Sequence, residues 1–103
     1  LSDISEMARA ATQMVNDAID AYVNDDENLA RKVISSDDKI DELFVKTKDK
    51  IIDEIAADKA NGEKAIDTLM VAKYLERIGD HAVNIAEWVV FSVTGVHKTE
   101  RIM

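Results

Sequence analysis

The stretch LERIGDHAVN, residues 75–84, decides the fold because it places polar side chains and a glycine inside a pattern that otherwise predicts one long amphipathic helix. Glu76, Asp80 and Asn84 are spaced at i, i+4 and i+8, so they follow one side of that helix, each about 6 Å beyond the last. Beside them, five apolar residues have the 3-4-3-4 spacing of a seam that packs against neighbouring helices. These are Leu75, Ile78, Ala82, Ile85 and Val89.

Gly79 stands in the middle of this predicted helix. A glycine costs a helix about 1 kcal/mol relative to alanine. Its presence therefore indicates that another backbone or a ligand comes close at this position, since a helix face that meets only water has no such requirement.

Length and composition indicate one helical domain. The 103 residues include three glycines, no proline and no cysteine. A chain of this length builds one modest core, and nothing in it breaks a helix except where the chain must turn. Disulfides, thiolate metal sites and cysteine nucleophiles are excluded. We expect an all-α fold with almost no strand.

The net charge of −8 opposes binding to phosphate backbones and anionic lipids. No apolar run approaches the roughly 18 residues of a membrane span, and the first residues lack the features of a signal peptide. We therefore expect no nucleic-acid partner and no direct membrane insertion. The chain begins with leucine rather than methionine, as a piece of a longer polypeptide would.

Hydrophobic periodicity predicts three amphipathic helices, over residues 2–23, 28–59 and 63–93. Short connections between long helices favour an antiparallel three-helix bundle. We assign residues 1–95 to the bundle and residues 96–103 to a C-terminal tail.

Two polar breaks separate the predicted helices: NDDEN at residues 24–28 and ANG at residues 60–62. Both contain the residue types that cap helices and form turns. We expect Gly62 to take the left-handed conformation that ends helices, and Gly95 to end the third helix.

The end of the third predicted helix is apolar on more than one side. The residues concerned are Trp88, Val89, Val90, Phe91 and Val93. A three-helix bundle cannot bury all of them, so we expect part of this surface to contact another copy or another domain.

A second acidic pair interrupts the apolar seam of the second predicted helix. Ser36 and Asp37 stand where the seam requires apolar residues, and Asp41 follows one turn later. Asp37 and Asp41 thus repeat the i, i+4 geometry of Glu76 and Asp80. If both pairs face one groove, four carboxylates converge and a cation would relieve their repulsion. All-oxygen ligation suits magnesium, calcium, manganese or iron, and zinc is an alternative.

A simpler interpretation competes with the metal site. Acid-rich stretches at helical spacing are most often solvated faces, and Lys39, Lys73 and Arg77 are placed to pair with neighbouring acids. We expect His81 either at the surface or next to the acids without binding the metal itself. Phosphate-binding loops, dinucleotide turns and the Glu-x-x-His pairs of di-iron bundles do not occur in the sequence, so a carboxylate-bridged redox enzyme has the weakest support.

Three stretches of the sequence together resemble the PhoU family of bacterial phosphate-signalling proteins. They are DDKID at residues 37–41, LERIGDH at residues 75–81 and NIAE at residues 84–87. That family carries an E/D-x-x-x-D motif twice in each three-helix repeat, and LERIGD has the form of the second motif. The resemblance covers residues 1–95 and is strongest to the second of two tandem repeats.

The resemblance implies a regulator and not an enzyme. PhoU proteins repress the phosphate-starvation regulon when phosphate is plentiful, acting with the ATPase of the phosphate-specific ABC transporter and a sensor histidine kinase. It also implies a cytoplasmic protein that reaches the inner membrane only through its partners. Because one repeat is present, a homodimer or a second PhoU repeat is expected to supply the missing half.

The resemblance further implies a metal site, because PhoU proteins hold multinuclear iron or other metal clusters on these motifs. Asp37 and Asp41 match the first motif, Glu76 and Asp80 match the second, and Asn84 is a lesser candidate. Iron is the expected metal, with zinc, manganese or magnesium as alternatives. The competing hypothesis is a metal-free helical interaction module of a larger phosphate transporter or regulator.

Overall fold

A computed structural model describes residues 2–95 of the chain and places nearly all of them in three helices. The helices are α1 (Ser2–Asn24), α2 (Glu27–Ala57) and α3 (Gly62–Thr94), with a 3-10 turn at Lys59–Asn61. The predicted all-α three-helix bundle is confirmed. None of the helices within residues 2–95 is both long and apolar enough to cross a membrane. The predicted tail, residues 96–103, lies outside the described residues.

The three helices run antiparallel. An ion pair of 2.8 Å joins Asp3 at the start of α1 to Lys50 near the end of α2, and a looser contact of 3.9 Å joins Asp17 to Lys32 near the other end. α3 returns along both helices, so that its middle at Gly79 lies beside the middle of α2.

Asp26 begins α2 as an N-cap. Its carboxylate accepts a hydrogen bond of 3.0 Å from the Leu29 N–H, and Asp25 before it has a left-handed φ of 50°. A cap of this kind stabilises a helix by about 1 kcal/mol. The polar break at this position therefore turns the chain as the sequence predicts.

The prediction for Gly62 is wrong. Gly62 has a right-handed φ of −59° and begins α3. Asp58 makes the break before it: its backbone is extended, and its carboxylate accepts a 2.9 Å hydrogen bond from the Ala60 N–H. An aspartate cap thus replaces the expected glycine. Gly95 does end α3 as predicted, with φ of 79° and an N–H that donates to the Phe91 carbonyl at 2.8 Å.

Small residues dominate the core. Four side chains in it combine large size with complete burial: Met7, Val33, Ile40 and Leu43. The rest of the cluster is mainly alanine, which allows the helix axes to approach closely because interaxial distance depends on the side chains at the contact.

The predicted seam of α3 is only partly correct. Ala82 and Val89 are buried and Leu75 is half-buried, but Ile78 and Ile85 are 41% and 37% exposed. The buried seam instead includes three small residues spaced seven apart, which are Ala72, Gly79 and Ala86. α3 is oriented with its small residues facing inward, which allows the helices to pack closely. In this orientation Ile78 and Ile85 lie on the outer side of α3.

Part of the apolar surface of the bundle remains exposed, as predicted for the end of α3. Val89 and Val90 are buried, whereas Trp88 and Val93 are exposed. Met70 on α3 and Tyr22 on α1 are also exposed.

Candidate functional site

The two acidic motifs lie beside each other where α2 and α3 pack. A Cβ built on Gly79 would stand 2.9 Å from Ile40 Cδ1 and 3.9 Å from Asp37 Oδ1. One to two turns away along α3, the Lys73 ammonium lies 4.9 Å from the centre of the Phe44 ring on α2. We call this region, with the acids of both motifs, the acidic groove. The atom nearest to a Cβ built on Gly79 belongs to the Ile40 side chain of the facing helix and not to a backbone, and the approach of a ligand to Gly79 stays a prediction.

Asp37 is the central acid of the acidic groove. Its Oδ1 atom is buried, and within the described residues no group donates a hydrogen bond to it. Burial is the largest cause that raises the pKa of Asp37 above its usual 3.8, and the charges of Asp41, Asp80, Asp38 and Glu76 raise it further. Both causes act against the charged form, because water is removed and negative charge is added. The Asp37 carboxylate thus lies in a negative environment that none of the charges acting on its pKa balances.

The other predicted site residues are less buried. Asp41, Asp80 and Asn84 are exposed, and Glu76 is half-buried. The structure brings the negative charges of Asp41, Asp80 and Glu76 near enough to act on Asp37, together with that of the adjacent Asp38. Asn84 is uncharged and lies two turns beyond Glu76 along α3.

Lys73 already faces the second motif. Its Nζ lies 3.8 Å from Glu76 Oε1, which confirms the predicted pairing of this lysine with a neighbouring acid. Lys39 pairs with Glu6 on α1 at 3.5 Å. Arg77, which was expected to pair with an acid, instead lies over the Tyr74 ring, 5.7 Å from its centre.

The carboxylates of the acidic groove do not meet at one point. In the part of the chain that the structure describes, no three or more Asp, Glu, His or Cys side chains have the spacing of a metal-binding cluster. Asp41 and Asp80 face solvent, where like charges separate at little cost. The donors on offer are carboxylate oxygens, the ligands of hard cations, and one of these oxygens is buried without a donor. The donor chemistry fits a cation, although these side-chain positions do not converge on one.

Sequence reasoning missed two features of the acidic groove. It did not distinguish Asp37 from Asp41, although only Asp37 is partly buried. It also missed the position of Lys73 over Phe44, which no spacing within one helix can indicate. The sequence did contain a signal for the partial burial of Asp37, because this residue stands where the seam of α2 requires an apolar residue.

The fold and the acidic groove define a class: an antiparallel three-helix bundle with paired acidic residues on two adjacent helices. The sequence model of the PhoU domain matches residues 4–89, which include most of all three helices. The chain therefore belongs to the PhoU family.

Three relatives illustrate the relationship. PhoU homolog 1 of Thermotoga maritima is 33% identical over 100 residues, which cover 97% of this chain and 43% of that protein. PhoU homolog 1 of Methanothermobacter thermautotrophicus is 32% identical over 94 residues, covering 91% and 43%. The PhoU homolog of Clostridium acetobutylicum is 32% identical over 95 residues, covering 92% and 43%. All three are named phosphate-specific transport system accessory proteins, and the chain spans less than half of their length.

Proposed function

We propose that this chain is a PhoU-type regulator of phosphate uptake and phosphate-starvation signalling, which acts through protein contacts and binds metal in the acidic groove. Membership of the PhoU family and the names of the relatives, as accessory proteins of phosphate-specific transport, support the regulatory part. The proposed partners are the transporter ATPase and the sensor histidine kinase. The proposed location is the cytoplasm, with contact to the membrane only through these partners.

The buried Oδ1 atom of Asp37 carries the metal proposal. A buried polar atom without a partner destabilises a fold by about 1–3 kcal/mol. The neighbouring acids add repulsion, which is the second cause of the raised pKa of Asp37. A cation would supply both the missing partner and the compensating charge.

The proposed ligands are Asp37 and Asp41 on α2 with Glu76 and Asp80 on α3, and Asn84 is a lesser candidate. Their oxygens suit iron, manganese and magnesium, and zinc is a further candidate. Because the two motifs lie on different helices, a cation or multinuclear cluster held by both would link α2 to α3. Metal binding would therefore stabilise the folded bundle.

Thermal unfolding with and without metal tests the proposal. Protein without an affinity tag is treated with a chelator, dialysed and melted with added ferrous iron, zinc, manganese or magnesium. A ligand at 100 times its Kd stabilises a fold by about 2.7 kcal/mol, which raises the Tm of a domain of this size by roughly 10 °C or more. Elemental analysis of the untreated protein identifies the metal.

Matched variants locate the bound ion. Asp37→Asn and Glu76→Gln each remove a proposed ligand charge and should abolish the rise in Tm. Asp49→Asn, an exposed acid on the same helix as Asp37, should leave it intact. If none of the four metals raises the Tm of the wild-type protein, the metal proposal is wrong.

A second candidate function is a metal-free interaction module whose acids bind basic residues of a partner. The contact between Lys73 and Glu76 favours this function, because it is an example of a basic side chain paired with an acid of the second motif. The separation of the carboxylates within residues 2–95 favours it too. Wild-type protein that holds no metal and gains no stability from any would support this function.

A further inference from the structure

The end of the bundle where α1 and α3 begin and α2 ends contains a small polar cavity. Its volume is about 70 Å³, and one water molecule occupies about 30 Å³, so it has room for an ammonium group and the first methylene groups of a chain. All three helices contribute to its walls, which include Asp3, Ile4, Thr47, Ile51, Glu54 and Thr68.

A larger groove adjoins this cavity and shares Ile4 and Thr68 with it. The volume of the groove is about 550 Å³, within the ~300–1,000 Å³ of small-molecule sites. We call the cavity and the groove together the basal cleft. It is separate from the acidic groove, because Asp67 in the basal cleft lies about 13 Å along α3 from Glu76, the nearest proposed metal ligand on that helix. The groove adds Ala60, Glu63, Lys64, Asp67 and Val71 to the lining.

Acidic side chains outnumber basic ones in the basal cleft, four to two. Lys50 is already paired with Asp3 at 2.8 Å. Glu54, Glu63 and Asp67 make no ion pair with any other side chain of residues 2–95. Glu63 and Asp67 are also like charges at i, i+4, a spacing that destabilises a helix. The basal cleft therefore favours a cation over an anion.

Thr47 places a hydroxyl in the cavity wall that the packing of the core does not require. Its side chain is 4% exposed, and its one hydrogen bond within the described residues is the 3.9 Å contact with the Met7 sulfur, a weak acceptor. Valine would fill the same space without a poorly bonded hydroxyl. A residue that lowers stability in the wall of a cavity is typical of a binding position.

The walls of the basal cleft indicate which kind of cation fits. Ile4, Ile51 and Val71 surround the polar groups with aliphatic surface, whereas a hard metal ion needs oxygen ligands on most sides. Among the described residues that line the cleft there is no aromatic ring, the usual partner of a quaternary ammonium. A primary amine on an unbranched aliphatic chain satisfies both surfaces, because its ammonium donates three hydrogen bonds and its methylene groups pack on aliphatic walls.

We propose that the basal cleft is a binding site for a linear aliphatic polyamine. One terminal ammonium enters the cavity, where the oxygens of Thr47, Glu54 and Thr68 accept its hydrogen bonds. The methylene chain continues along the groove, and the next positive charge pairs with Glu63 and Asp67. These two acids then no longer repel each other without compensation.

Polyamine binding does not depend on the metal proposed above, so it is measured on protein that has been treated with a chelator and dialysed. The two proposals can therefore fail separately. Calorimetric titration of the full chain with spermidine should show one site per chain. Absence of saturable binding up to about 10 mM spermidine would overturn the proposal.

Matched charge variants locate the bound amine. Glu54→Gln and Glu63→Gln each remove one proposed ion pair and should raise the Kd of spermidine about fivefold. Glu42→Gln removes the same charge from an exposed position on α2 outside the basal cleft and should leave the Kd nearly unchanged. Equal weakening in all three variants would show that spermidine responds only to the net charge of the protein, and would overturn the proposal.

Thr47→Val separates binding from packing. The variant should unfold at a higher temperature than the wild-type protein and yet bind spermidine about fivefold more weakly, because a hydrogen bond to a charged group is lost. A threonine with a purely structural role would change the stability alone. An unchanged Kd would therefore overturn the placement of the ammonium in the cavity.

A lysine side chain of a partner protein presents the same chemistry as a free polyamine, and a peptide distinguishes the two sources. Tetralysine with blocked ends should bind more weakly than spermidine, because its bulky backbone does not fit a narrow aliphatic groove. Tighter binding of tetralysine that is lost in Glu54→Gln would assign the basal cleft to a protein partner and overturn the polyamine proposal.

Discussion

The Ile40 side chain on α2 lies directly over Gly79 on α3: a Cβ built on Gly79 would stand 2.9 Å from Ile40 Cδ1, closer than side-chain carbons normally approach. Met14 Sδ on α1 would lie 3.8 Å from the same point, and Asp37 Oδ1 3.9 Å from it. All three helices therefore meet at this glycine. The requirement for a small residue comes from core packing at the turn of α3 that carries the second acidic motif.

Gly79→Ala should destabilise the bundle by about 1 kcal/mol. Alanine gains about 1 kcal/mol in helix propensity, but overpacking a core costs about 1–3 kcal/mol. Ile40 is fully buried, so its Cδ1 has little room to move away. Urea denaturation of the wild-type protein and the variant measures the change in the free energy of unfolding.

A double-mutant cycle identifies the cause of this loss. Ile40→Val removes the Cδ1 atom and should itself cost about 1 kcal/mol. With that atom gone, only the gain in helix propensity should remain, so adding Gly79→Ala should make the double mutant about 1 kcal/mol more stable than Ile40→Val. Strictly additive losses would show that the contact between Ile40 and Gly79 is not responsible.

Asp37→Asn should raise the Tm at pH 7 in the presence of a chelator. Because the pKa of Asp37 is raised in the folded state, the folded protein binds this proton more tightly than the unfolded chain does. The stabilisation that protonated Asp37 contributes is fully present below the pKa of this carboxyl in the unfolded chain. It is lost as the pH rises through the raised pKa of Asp37 in the folded protein. The asparagine variant does not undergo that loss, so its advantage should shrink as pH falls toward 3.

The control for this pH dependence is Asp49→Asn, which changes an exposed acid on α2 and should follow the wild-type curve. The pKa of Asp3 shifts in the opposite direction, because Lys50 lies 2.8 Å from its carboxylate and lowers that pKa. Asp3 is present in the wild-type protein and in both variants, so its effect cancels when their Tm values are compared. A lower Tm for Asp37→Asn at pH 7 would mean that the charged carboxylate has a stabilising partner.

Lys73→Met should strengthen metal binding up to about fivefold. The lysine competes for Glu76 across 3.8 Å, and an exposed ion pair contributes up to ~1 kcal/mol. Methionine retains an apolar chain beside the Phe44 ring. Metal titration followed by calorimetry gives the Kd, and Lys46→Met, which changes an exposed lysine near Asp3, serves as the control. Weaker binding by Lys73→Met alone would argue against competition for Glu76.

Thr47→Val should stabilise the bundle by about 1 kcal/mol. Thr47 is 4% exposed, and its hydroxyl donates to the Met7 sulfur at 3.9 Å, a weak acceptor. Replacing a poorly bonded buried hydroxyl with a methyl group removes its desolvation cost. Thr12→Val is the control, because its exposed hydroxyl bonds to the Ala8 carbonyl at 2.8 Å. Denaturant unfolding at pH 7 compares the two, and a loss of stability in Thr47→Val would reveal a stronger acceptor.

The sequence by itself determined the three helices, the turn at Asp25 and Asp26, the end of α3 at Gly95 and the two acidic pairs. These features are local, because helical periodicity, capping and left-handed glycine depend on residues within a few positions of each other. Short connections between long helices also made the antiparallel bundle predictable, and the adjacency of α2 and α3 followed from it.

The tertiary structure alone decided which apolar stripe of α3 faces inward. Both stripes have helical spacing, and the sequence favoured the one with Ile78 and Ile85, but burying Ala72, Gly79 and Ala86 lets three helices pack closely around Ile40. The same rotation leaves the isoleucines outside and sets the buried oxygen of Asp37 among its neighbouring acids. Such choices depend on the fit between side chains far apart in sequence, which periodicity within one helix does not encode.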